Sequence, residues 1–233
     1  TQFQAQAYKE LLPADGPVRA QIMGALTPEK QDQAHRVKDF MNYQLMDQMK
    51  EYEPEFDQML FYLPLTGSTF KKVYYDELLG RAVSKFIQAE DLIVPYTASS
   101  LEDADAIVHV IKISENDLRK QQVGGFYRDI ELGDPPINEN QVKAKQLELE
   151  GVTANDQQRE SMYTLLEVHT DLDLEDYPDV NENEEPTGIK LPYIITIDET
   201  SQQVLSIRRN YEPEDPLKKK KNYFVQFKFL PGT

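Results

Sequence analysis

From Ala34 the apolar residues return every three or four positions, as Ala34, Val37, Met41, Leu45 and Met49. That period predicts an amphipathic helix from about Pro28 to Met49 that buries one stripe. Thr27 supplies an N-cap, and Pro28 stands at the first helical position, where its missing N–H costs nothing. A second helical pattern, Pro54 to Leu63, brings Phe56, Met59, Leu60 and Leu63 onto one face, and Pro64 is expected to end it. Upstream, Val18, Ala20 and Ile22 alternate within Pro17 to Ala25, a short strand pattern.

After Gly67 the period changes from helix to strand. Phe70, Val73 and Tyr75 predict one strand and Val83 to Ile87 its hairpin partner, with "DELLGR" as the turn. Leu92 to Val94 adds a short strand. Ala106 to Ile113 is a nearly continuous apolar run, the mark of a strand covered on both faces. Ser114 with Asp117 three residues on resembles a capping box and opens a short helix weakened by Gly124 and Gly125. Asn138 to about Glu150 reads as a helix with almost no apolar face, terminated by Gly151. In the last third Met162, Thr164, Leu166, Val168, Thr170 and Leu172 share one strand face against Tyr163, Glu167 and His169. Tyr193 to Ile197 and Val204 to Ile207 flank a turn as a hairpin, and Tyr223, Val225, Phe227 and Phe229 alternate in a final strand. The chain is therefore expected to be α+β, with N-terminal helices, a β-hairpin and mixed sheet, then C-terminal antiparallel strands. We expect one region over 1–233, with sub-regions 1–113, 114–160 and 161–233.

The 233 residues can bury about three quarters of their unfolded surface, so no staples are needed. There is no Cys, which removes disulfides, thiolate metal sites and cysteine nucleophiles. Three scattered histidines, His35, His109 and His169, offer little to a metal; His109 reads as a core or face residue. With 41 acidic and 25 basic residues the net charge is −16, the wrong sign for gripping nucleic acid but suited to a surface that DNA slides past. No apolar run approaches the roughly 20 residues of a membrane span. Beginning at Thr1 in mid-pattern and stopping at "FLPGT", the chain reads as an excerpt from something longer.

Three stretches invite chemistry. "FYLPLTGSTFKK" (61–72) looks like a phosphate loop, but Tyr62 stands where the first Gly belongs and Ser68 where the Lys belongs. Its lysines are expected to project as solvated charge from a strand edge. The acidic run 171–186 places Asp171, Asp173, Glu175, Asp179 and Glu182 at calcium-loop positions one, three, five, nine and twelve. Asp176 then stands where the template wants Gly, and the flanks are strands, so a solvated acidic loop is the stronger reading. Lys218, Lys219, Lys220 and Lys221 form the one basic run, a nucleic-acid contact or a solvated turn before an edge strand. No nucleophile elbow, zinc-binding helix or dinucleotide fingerprint is present, so nothing asks for an enzyme or a cofactor.

Taken as whole segments, "HRVKDFMNYQL" (35–45), "FDQMLFYLPLTGSTFKKVYYD" (56–76), "GRAVSKFIQAEDLIVPYTASSLEDA" (80–104) and "IVHVIKIS" (107–114) resemble the portal proteins of tailed bacteriophages. The nearest likeness is to the large portals of the short-tailed, P22-like branch. "YFVQFKFLPG" (223–232) is similar to the strand that precedes the first stem helix in that family. The resemblance implies a wing-region fragment of a ring, usually of twelve subunits, at one capsid vertex. DNA is packaged and ejected through such a ring, and the ATPase is a separate terminase. It further implies contacts with capsid protein, terminase and head-to-tail adaptors, assembly in the bacterial host cytoplasm and residence in the virion. The family has no catalytic residues to carry over. The alternative left open by the residues is an acidic, calcium-dependent binding module using 171–182.

Overall fold

The computed structural model describes residues 2–77, 79–133, 162–180 and 185–229. It is an α+β chain with antiparallel sheets, divided into two compact units: Thr1–Glu90 with Asn222–Thr233, and Asp91–Lys221.

The first unit begins with α1 (Gln2–Leu11), which the apolar pattern did not announce. α2 (Pro28–Tyr43) starts as expected: Thr27 is extended, and its Oγ1 accepts from the Lys30 N–H at 3.4 Å. A π-helical turn, Gln44–Gln48, continues it to Met49, which is buried. α3 (Tyr52–Thr66) buries Phe56, Met59, Leu60 and Leu63, the four residues grouped by their spacing. Pro64 does not end α3. The helix runs one further turn, with the Thr66 hydroxyl donating to the Tyr62 carbonyl at 3.1 Å, and stops at Gly67. Gly67 adopts φ +75° and its N–H bonds the Leu63 carbonyl at 2.9 Å, a left-handed cap that glycine takes without a Cβ penalty.

β1 (Ser68–Asp76) and β2 (Arg81–Ile87) form the expected hairpin, with Phe70 opposite Ile87 and Asp76 opposite Arg81. β8 (Phe224–Lys228) pairs with the other side of β1, so the sheet order is β2-β1-β8. Leu12, Phe56, Met59 and Leu60 make the core against this sheet, joined by Ala7, Tyr8, Phe86 and Phe227.

Besides the helix end at Pro64, two further expectations fail in this unit. Pro17 to Ala25 is not a strand: residues 18–23 run without bend or turn and have no ladder partner among the described residues. The expected stripe is not buried along α2 either: Val37 and Met41 are exposed and Ala34 and Leu45 half-buried, and of its five residues only Met49, beyond α2, is buried. Val37, Phe40, Met41 and Tyr43 are 44–59% exposed, and α2 is tied to the preceding loop through Asn42 instead.

The second unit is a five-stranded antiparallel sheet of order β3-β4-β5-β6-β7, from β3 (Leu92–Ile93), β4 (Ala106–Ser114), β5 (Met162–Leu172), β6 (Leu191–Asp198) and β7 (Val204–Arg209). α4 (Glu115–Val123) leaves β4 through Ser114, whose Oγ accepts from the Asp117 N–H at 3.2 Å. Leu118 of α4 and Tyr127 pack on Tyr163, Leu165 and Leu205. A second cluster joins Leu191, Tyr193 and Tyr211.

β4 is only half-covered along most of its length, with Ile107 alone fully buried. On β5 the deeply buried face is the mixed one, Tyr163, Leu165, Glu167 and His169, while Leu166 and Val168 opposite are half-buried. A buried polar pair makes this possible: His169 Nε2 lies 2.8 Å from Glu167 Oε1. The expected helix Asn138 to Glu150 lies outside the described residues.

Candidate functional site

Two stretches that the sequence treated as separate, the acidic run and the tetralysine, meet in the second unit. Asp179 is only 8% exposed. Its carboxylate accepts from the Lys218 ammonium on one oxygen and from the Thr187 hydroxyl, at 2.7 Å, on the other. The Thr187 N–H bonds the Asp179 carbonyl at 2.8 Å, so the acidic loop is pinned at this point by three contacts. Lys218 holds φ +45°, a left-handed conformation costly for a residue with a Cβ. The ion pair offsets that cost.

The other lysines are anchored as well. Lys220 Nζ donates to the Ala104 carbonyl at 2.9 Å, and Lys221 Nζ lies 2.5 Å from Glu212. The Lys219 N–H donates at 3.2 Å to Asp215, whose carboxyl sits below its ordinary range because the Leu217 and Lys219 amides point at it. Three of the four side chains thus fasten the 210–221 loop, where the sequence suggested a solvated turn. Asp171, Asp173 and Glu175 are exposed, and Glu182 lies outside the described residues. Among the described residues no group of three or more His, Asp or Glu side chains is arranged to hold a metal.

The stretch 61–72 spans the end of α3 and the start of β1. β1 is the central strand of its sheet, so Lys71 is not at an edge. It is 3% exposed, and its Nζ lies 4.5 Å from the Tyr52 ring centre and 5.2 Å from that of Phe56. That amine has no hydrogen-bond partner among the described residues. Burial pushes its pKa down to about 8, against the pull of Glu55 and Glu51. Both carboxylates serve β2. Glu55 Oε2 accepts from the Phe86 N–H at 2.6 Å, and Glu51 takes the Arg81 guanidinium at 2.7 Å. Arg81, with help from the Ser84 N–H, holds Glu51 below the usual carboxylate range. The site is therefore architectural: one helix covers a buried amine and caps the edge of β2. Sequence reasoning did not find this site; the signal that could have pointed to it is the i, i+4 pair of carboxylates, Glu51 at the N-cap and Glu55 in the first turn of α3.

Charge divides sharply between the units. Asp91–Lys221 contains 28 acidic and 14 basic residues, whereas the remainder has 13 and 11. The acidity is a property of the second unit. The first unit carries an exposed apolar face on α2, formed by Val37, Phe40 and Met41. Compared with known proteins, the chain matches no family model, and no curated protein is significantly similar to it.

Proposed function

We propose that this chain is a structural subunit of a phage portal ring, through which DNA passes into and out of the capsid, and that it performs no catalysis. The whole-segment likeness of residues 35–114 to portal proteins carries the reading. Two physical features support it. An acidic unit with a charge of −14 repels DNA, which suits a wall beside a moving duplex better than a gripping surface. The apolar face on α2, with Val37, Phe40 and Met41 exposed, suits a chain whose burial is completed by neighbouring copies.

In this reading twelve copies close a ring that contacts capsid protein, terminase and adaptor proteins in the virion. The test is electron microscopy of the protein with its natural flanking sequence. Closed rings support the assignment, and a protein that stays monomeric at every concentration and salt tried overturns it.

A further inference from the structure

In the first unit, among the described residues, the segment 18–23 lies in no sheet and the outer edge of β8 has no neighbouring strand. Residues 18–23 carry strand-like alternation, Val18, Ala20 and Ile22 against Arg19, Gln21 and Met23, yet have no ladder partner among the described residues. Val18 is held: its N–H donates to Asn42 Oδ1 at 2.9 Å, and its carbonyl accepts from Asn42 Nδ2 at 3.3 Å. A side-chain amide stands there in place of a neighbouring strand.

The two edges of the three-stranded sheet differ. On β2, Glu55 takes the outward Phe86 N–H and α3 lies alongside, so that edge is closed. On β8, the odd positions bond β1, as the Val73 N–H to the Tyr223 carbonyl at 2.8 Å and the Phe229 N–H to the Gly67 carbonyl at 3.0 Å show. Antiparallel alternation then turns the backbone groups of Gln226 and Lys228 outward. Val225 beside them is 46% exposed. β8 has five residues, which a six-residue segment matches.

We propose that residues 18–23 of one copy add as a fourth strand to the β8 edge of the next copy. The contact is head-to-tail, since donor segment and acceptor edge are different surfaces, and repetition of such a contact builds a ring or a filament. This deepens the ring reading and rests on it. Within one chain the donor is tethered to α2 through Asn42 and, among the described residues, its own β8 edge has no strand beside it, so the acceptor is a second copy.

The chain has no native Cys, which permits disulfide trapping. Differently tagged copies, one bearing Ala20→Cys or Ile22→Cys and the other Gln226→Cys or Lys228→Cys, are mixed and oxidised. A cross-linked pair of chains is expected in at least one combination. Gln226→Pro removes an outward N–H and leaves the β1 ladder intact. It should raise the concentration for half-association about tenfold or more, with an unchanged circular dichroism spectrum. Absence of inter-chain cross-links in all four combinations, or cross-links only within one chain, overturns the proposal. Rings that persist in a folded Gln226→Pro variant overturn the strand exchange and leave the portal reading standing. A parent protein that never associates overturns both.

Discussion

Replacing Lys71 by Met should stabilise the protein. A lysine whose pKa falls from 10.5 to about 8 on folding disfavours the charged form by about 2.5 pH units, or about 3 kcal/mol at pH 7. Met keeps the length and the contact with Tyr52 and Phe56 while removing the charge. The cation–π attraction given up, about 0.5–2 kcal/mol, offsets part of the gain. A net stabilisation of about 1–3 kcal/mol at pH 7 follows.

The pH profile gives a second readout. The folded pKa lies below the unfolded one, so between pH 8 and 10.5 the unfolded chain binds more protons and the parent gains stability as pH rises. Below pH 8 the penalty is present in full. Urea titrations of parent and Lys71→Met at pH 7, 8, 9 and 10 measure both effects, and the difference between the two proteins should shrink towards zero at the top of the range. A destabilised Met variant at pH 7, or a difference that does not change with pH, would refute a buried charged amine at this position.

Other outcomes follow from the same geometry. Lys218→Ala leaves the buried Asp179 carboxylate with Thr187 as its remaining side-chain partner and should cost about 1–3 kcal/mol. A double-mutant cycle with Asp179→Asn checks that the cost belongs to the pair. Gly67→Ala meets open space, so its expected loss of about 1 kcal/mol, read by denaturant midpoint, reports the left-handed backbone at φ +75° alone. Calcium should leave the melting temperature unchanged, because Asp179 is already bound to Lys218; a rise abolished by Asp171→Ala with Asp173→Ala favours the calcium module instead.

Local chemistry was legible in the sequence, and tertiary partnership was not. Thr27 and Ser114 cap the helices their neighbours imply, and the spacing of Phe56, Met59, Leu60 and Leu63 gives α3 its buried face. These are short-range signals, set within one or two turns. On α2 the apolar spacing marked a stripe correctly but could not say whether anything lies against it. The pairing of β8 with β1 joins residues about 150 positions apart, which periodicity does not encode. Lys71 and Lys218 misled for a related reason. A lysine in a sequence reads as solvated, and only the fold reveals an aromatic wall over one and a buried carboxylate against the other. On β5 the alternation separated the two faces but could not say that the one with Glu167 and His169 is buried, since that depends on the contact between their side chains.

The measurement closest to the central claim is the mass and shape of the assembled particle, by electron microscopy with sedimentation of the protein carrying its natural flanking sequence. Closed rings of uniform subunit number are expected. A monodisperse monomer across the whole range of concentration and salt would contradict it.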